Sequence, residues 1–216
     1  MSVLLPVYKT FLATDDIPWE QINSDLYNNG DTRFQEIEEG ISTVELRFRR
    51  DLEDWATGFR FVVENIVQKF MPYTANYSYE DWTKISWVNK IYPNGFVKYH
   101  SHYPCDLAIV WYIDIPDNSG NFILQHENND YVVPISTGDV LAFPAGMIHS
   151  TEPNQSGKPR YVMATNVLWT EMLRQTLKDK LTEKELNTLL NKVYYERQNQ
   201  LIKDMLHESN FTQISN

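Results

Sequence analysis

Apolar and polar positions follow two different periods along this chain, and the period changes twice. From Asp51 to about Met71 the apolar residues Leu52, Trp55, Phe59, Val62, Val63, Ile66 and Phe70 recur three and four positions apart, the spacing that gathers them on one face of a helix. Pro72-Tyr73 ends that run, since proline cannot donate into a continuing helix. An earlier helix is predicted to start at Asp15-Asp16-Ile17-Pro18-Trp19-Glu20 and to stop at Gly30. Acidic residues there suit the positive end of the helix dipole, and proline suits the first turn.

Between about Ile85 and Val167 the pattern becomes short β-branched and aromatic runs, as in Trp87-Val88-Asn89, Leu107 to Ile113 and Phe122-Ile123-Leu124. The turn signals Asp117-Asn118-Ser119-Gly120 and Ser136-Thr137-Gly138-Asp139 separate them. Six to eight strands in about 80 residues imply an antiparallel sandwich or barrel. After Trp169 the helical period returns. Thr182-Glu183-Lys184-Glu185 has the capping-box pattern ahead of a run through Leu186, Leu189, Leu190, Val193, Leu201 and Met205. That long helix is expected to pack across the barrel or onto the N-terminal helices, with a dimer-forming helix as the lesser alternative. The expected fold is mainly β with flanking helices in a single domain: helical support over 1–84, a β-barrel core over 85–168 and C-terminal helices over 169–216.

Composition narrows the class. With 42% hydrophobic residues among 216, the chain is expected to pack a core rather than stay disordered. A net charge of -10 and a pI of about 4.9 repel phosphate backbones and acidic membranes, so no nucleic-acid or membrane partner is expected. Cys105 is the only cysteine, which excludes an intrachain disulfide and favours a reducing compartment. The opening residues lack a basic n-region and a long apolar run, so a cytoplasmic location is expected.

Three of the five histidines carry the candidate chemistry. His100 and His102 sit two apart in a strand-like stretch, where alternate side chains share a face. His149 follows 47 residues after His102, behind the tight phrase from Gly138 through Pro144-Ala145-Gly146. Three imidazoles on one face suit iron, zinc, copper or nickel and leave coordination positions open. Arg160 lies 11 residues beyond His149 and opens a strand. If the two strands are antiparallel neighbours, its guanidinium enters the same pocket and can hold a carboxylate through two parallel hydrogen bonds.

With Trp87-Val88-Asn89, the Tyr92-Pro93-Asn94-Gly95 turn, Val110-Trp111-Tyr112 and Phe143-Pro144 through Pro153, these residues resemble the Fe(II)/2-oxoglutarate-dependent oxygenases. The branch they resemble most is one of uncharacterised oxygenases related to prolyl hydroxylases. The resemblance covers roughly residues 85–168. It implies a double-stranded β-helix, a jelly-roll or cupin-like barrel, with His100, His102 and His149 as ligands of Fe(II). Arg160 would then grip the far carboxylate of 2-oxoglutarate, and Asn89 and Tyr92 would be further cosubstrate contacts. The implied activity is a dioxygenase hydroxylating a small-molecule or peptide substrate. Asn89 and Tyr92 are an odd number of positions apart, so a regular strand would present only one of them to the site. The sequence departs from the family at His102, where an aspartate is usual, which leaves Asp106 as an alternative ligand, and at Val162, where many relatives carry serine.

Two other readings stay open. The phrase from Gly138 to His149 matches a cupin motif, which would give a metal-dependent dioxygenase or isomerase without 2-oxoglutarate. A noncatalytic barrel that only binds is the third. Trp87, Tyr99, Tyr103, Trp111 and Tyr112 are candidates for a pocket lining or for plain core packing, Cys105 is an oxidation target or a packed thiol, and His126 and His207 read as ordinary strand-end and chain-end residues.

Overall fold

The computed structural model of the chain describes residues 2–28, 36–37, 40–41, 44–48, 56–74, 77, 82, 84–208 and 212–214. In chain order the elements begin with β1 (Ser2–Leu4), β2 (Tyr8–Phe11), α1 (Trp19–Asn28), β3 (Glu36–Ile37), β4 (Gly40–Ile41), β5 (Val44–Phe48) and α2 (Thr57–Phe70). The central run is β6 (Lys84–Ile91), β7 (Leu107–Asp114), β8 (Phe122–His126), β9 (Asn129–Val133), β10 (Asp139–Pro144), β11 (His149–Thr151) and β12 (Arg160–Val167). It is followed by α3 (Trp169–Leu177), α4 (Glu183–Glu208) and β13 (Thr212–Ile214). The expected β-rich centre between flanking helices is thus present. The N-terminal third departs from the helical expectation, because β2 and β5 are the outer strands of the main sheet. Gly30 and the proposed helix start at Asp51 to Trp55 lie outside the described residues.

Among the described residues all the strand pairs are antiparallel. The main sheet has the order β2-β10-β7-β12-β6-β5, and a smaller one has the order β11-β8-β9. Strand alternation decides what each face does. Leu107, Ile109, Trp111 and Ile113 of β7, with Val140 and Ala142 of β10 and Met163 of β12, pack beneath Phe59, Val63, Ile66 and Val67 of α2. The intervening residues, among them Ala108, Tyr112, Leu141, Phe143 and Val162, face Phe122, Leu124 and Val133 of the smaller sheet. The molecule is therefore layered as helices, large sheet, small sheet. Every residue of β12 is buried because both of its faces are covered.

The capping box forms as the sequence pattern requires: Glu185 Oε2 accepts from the Thr182 hydroxyl and backbone N–H. The helix it starts, α4, buries Leu186, Leu190, Tyr194, Gln198, Leu201 and Met205 against the body of the protein, while Leu189 and Val193 are half-buried. Packing against β10 and α2 settles the position of this helix on its own chain.

Candidate metal centre and its cavity

The three histidines converge, by a route other than a shared strand. His100 makes an isolated bridge with His149, each backbone N–H donating to the other's carbonyl at 3.0 and 2.9 Å. His102 lies beyond it in irregular chain, its N–H bonded to Ala145 O at 2.8 Å, and Cys105 N–H closes a turn on His102 O at 2.7 Å. The expectation of two imidazoles on one pleat is corrected accordingly: residues 100–102 are zipped to the loop that ends β10. Their rings stand at 89° to one another, 4.8 Å apart, with His149 at 4.2 Å from His100 and 4.8 Å from His102.

One ligand atom from each histidine lies within 4.8 Å of the others, and among the described residues they alone form a group of this kind. The Nδ1 atoms of His100 and His149 sit 2.8 and 2.9 Å from Lys98 O and Met147 O. A carbonyl accepts only, so both Nδ1 atoms carry a proton, which in a neutral ring leaves the lone pair on Nε2. His149 Nε2 is 3.1 Å from His102 Nε2. Burial, with the neighbouring imidazoles, holds His149 well below the ordinary histidine range and brings His102 down to about 3. Both are neutral at physiological pH and able to donate electron pairs. Converging lone pairs, with rings oriented from behind by carbonyls, fit a transition-metal ion.

Asp106 is not part of this group. Its carboxylate is fully buried and accepts from Thr170 N–H at 3.0 Å and Arg197 Nε at 3.1 Å, while its carbonyl accepts from Gln198 Nε2 at 2.8 Å. It ties the loop after His102 to α3 and α4, and His102, not Asp106, stands in the group with His100 and His149. Gln198 also accepts from Gly146 N–H at 2.8 Å, bracing the loop that delivers His149. Sequence reasoning missed this positioning role. The available signal was one polar residue interrupting the stripe from Leu186 to Met205.

The histidines open into a cavity of about 640 Å³ that Arg160 also lines. The condition of neighbouring antiparallel strands is not met, since β11 pairs with β8, and β12 with β6 and β7. The arginine reaches the site across the sandwich. It is 1% exposed; its Nη1 donates to the carbonyls of Ser119 and Gly120, the latter at 3.2 Å, and its Nη2 to Thr151 Oγ1. Among the described residues no carboxylate forms a salt bridge with it; burial lowers its pKa to about 10, and the charges of Tyr112 and Glu152 oppose that shift. Gly120, at φ +83°, lets this carbonyl pair turn inward.

Asn89 lines the cavity from β6, and its buried Oδ1 has no hydrogen-bond partner. Tyr92 does not reach the cavity. It follows the end of β6, is 39% exposed and lies beneath the ammonium of Lys90 at 5.1 Å. The odd spacing of the two residues thus has the consequence expected of a regular strand. Trp87, Tyr99, Tyr103, Tyr112 and Val162 line the cavity, whereas Trp111 faces the helices and stacks on Phe59 at 5.5 Å. Cys105 is a packed thiol, pushed by burial to about 12. His126 ends β8, and His207 lies in the last turn of α4.

No family model matches the chain, and no curated protein matches it by sequence. Solved structures do match it in fold. A prolyl-4-hydroxylase from Pseudomonas putida aligns with a TM-score of 0.57 at 12% identity, over 76% of this chain and 93% of its own. The non-heme alpha-ketoglutarate-dependent epimerase SnoN from nogalamycin biosynthesis gives 0.56 at 12%, over 76% and 78%. A prolyl hydroxylase from Trichoplax adhaerens, in complex with a hypoxia inducible factor peptide, gives 0.54 at 13%, over 76% and 83%. This chain has the double-stranded β-helix fold of the 2-oxoglutarate–Fe(II) oxygenases, with a three-histidine group in its cavity.

Proposed function

We propose that the protein is a non-haem Fe(II)- and 2-oxoglutarate-dependent dioxygenase that hydroxylates an organic substrate. The observation that carries this reading is Arg160: a buried guanidinium with no salt-bridged carboxylate among the described residues, lining the same cavity as three converging imidazoles. Glu152 acts on this charge without a salt bridge to it, so the guanidinium has room for a carboxylate in direct contact, and an organic diacid supplies one. A cupin enzyme without 2-oxoglutarate would share the histidines and leave this arginine only its hydrogen bonds to Ser119, Gly120 and Thr151.

His100, His102 and His149 would hold the iron, with 2-oxoglutarate as cosubstrate. Together, when bound, they supply the oxidising power for the balance R–H + 2-oxoglutarate + O₂ → R–OH + succinate + CO₂. The chain's part is orientation and exclusion of water. Lys98 O and Met147 O hold the His100 and His149 rings by their Nδ1–H groups, and burial keeps His102 and His149 unprotonated. Ser119 O, Gly120 O and Thr151 Oγ1 hold the Arg160 guanidinium, leaving its charge for the diacid. Tyr112 and Val162 line the cavity with it, and the Asn89 amide is available to a bound carboxylate.

The test is anaerobic loading with Fe(II) and 2-oxoglutarate followed by exposure to dioxygen. Succinate above a heat-denatured control, dependent on both iron and dioxygen, is the expected result. Stoichiometric iron without succinate or 2-oxoglutarate binding would point to the cupin chemistry. Absence of metal uptake would leave a binding module.

A further inference from the structure

The cavity extends past the region a diacid at Arg160 can fill. Arg160, Val162, Ala164 and Asn166 line it at every second position of β12, a row of roughly 20 Å at the ~3.3 Å rise of a strand residue. An extended five-carbon diacid spans roughly two such residues. The strand register places the histidines between the two ends. At one end Arg160 bonds Thr151, two residues after His149. In the middle Trp87, paired with Ala164, has its ring 5.7 Å from that of His102. Beyond them Asn166 pairs with Ile85, and Cys105 and Leu168 line the far end.

This far arm differs from the Arg160 arm in charge. Among the described residues its walls are Ile85, Trp87, Cys105, Ala164, Asn166 and Leu168, none of them an acidic or basic side chain. The nearest carboxylate in sequence, Asp106, is turned away and bonded to Thr170 and Arg197. A charged group entering the arm would lose hydration without meeting a free counter-ion among the described residues that line it. One amide, that of Asn166 beside the Cys105 thiol, offers hydrogen bonding.

The geometry points to this arm as the substrate subsite, selective for an uncharged, mainly apolar small molecule. The assignment as a substrate subsite rests on the oxygenase reading above, while the ligand chemistry rests on the arm alone. Saturation-transfer NMR on Zn(II)-loaded protein tests it with indole and its cationic relative tryptamine. Indole should bind, and tryptamine at least tenfold more weakly, although a net charge of -10 favours the cation. Ala164→Phe, which fills the arm from its floor, should weaken indole binding tenfold or more. Ile85→Trp should do the same from an edge position that is 38% exposed and tolerant of bulk.

Absence of indole binding to the wild type, equal binding of tryptamine, or unchanged indole affinity in both folded variants would overturn the assignment. Calorimetric titration of 2-oxoglutarate into the same wild-type samples separates the two readings. Indole binding of the expected pattern without 2-oxoglutarate binding removes the oxygenase and keeps a neutral ligand site. Binding of 2-oxoglutarate without the indole pattern removes the subsite and keeps the oxygenase.

Discussion

Removing one carboxylate from the ligand tests the Arg160 anchor while leaving the protein untouched. The compound 2-oxobutyrate keeps the 2-oxo acid end of 2-oxoglutarate and lacks its distal carboxylate. Arg160 is 1% exposed and already oriented by Ser119 O, Gly120 O and Thr151 Oγ1. Little side-chain entropy is therefore lost when an anion arrives. Hydrogen bonds to charged groups contribute about 1.5–3 kcal/mol each, and dehydrating the carboxylate offsets part of a paired set. A net of about 2–3 kcal/mol remains, or roughly 30- to 150-fold in affinity at about 1.4 kcal/mol per factor of ten. Calorimetric titration of Zn(II)-loaded protein should show that preference for 2-oxoglutarate. In Arg160→Gln the two compounds should bind alike, with Arg160→Lys between. A wild-type preference below about threefold would refute the anchor, since a buried and oriented guanidinium without a salt bridge could not then be facing the diacid. Melting curves must accompany the variants, because the three groups bonded to Arg160 lose donors at about 1–3 kcal/mol apiece, offset by removal of an uncompensated buried charge.

Other consequences can be checked directly. His149→Ala and His102→Ala should each abolish stoichiometric metal retention, read by elemental analysis; full retention in either would remove that residue from the ligand set. The depressed histidines predict acid sensitivity of the metal-free protein: unfolding raises their pKa to the ordinary value of 6.5, so the unfolded chain binds more protons below that pH. Stability should therefore fall as pH drops from 6.5 toward 3, by up to about 1.4 kcal/mol per pH unit for each group, and the slope should shrink in His102→Asn. Gly120→Ala places a Cβ 2.6 Å from Glu152 O at a positive φ of 83°, so a loss of about 2 kcal/mol or more is expected in denaturant melts, with weakened 2-oxoglutarate binding. Thr182→Ala removes the capping hydroxyl of α4 and should cost about 1 kcal/mol; an unchanged melting temperature would show that tertiary contacts alone set that helix start.

What could be read along the chain was what repeats along it. The three-and-four spacing of Phe59, Val63, Ile66 and Phe70 is a local property, and a helix follows at Thr57–Phe70 with those residues buried. The strands β6, β7 and β12 likewise follow from short β-branched and aromatic runs, and the turns at Asn118-Gly120 and Gly138, with their positive φ, from local turn residues. The edge strands β2 and β5 escaped notice because a short strand stabilised by pairing with β10 or β6 has no long pattern of its own.

By itself, then, the sequence determined the residue types at the site: three imidazoles, one guanidinium, and a tight loop before His149. Only the tertiary structure decided how they meet. His102 reaches the group through a loop zipped to Ala145, Arg160 through a second sheet, and Asp106 is withdrawn to α3 and α4. The physical reason is that metal-ligand geometry and ion pairing act through space between segments far apart in the chain. Periodicity reports only which face of its own element each residue occupies.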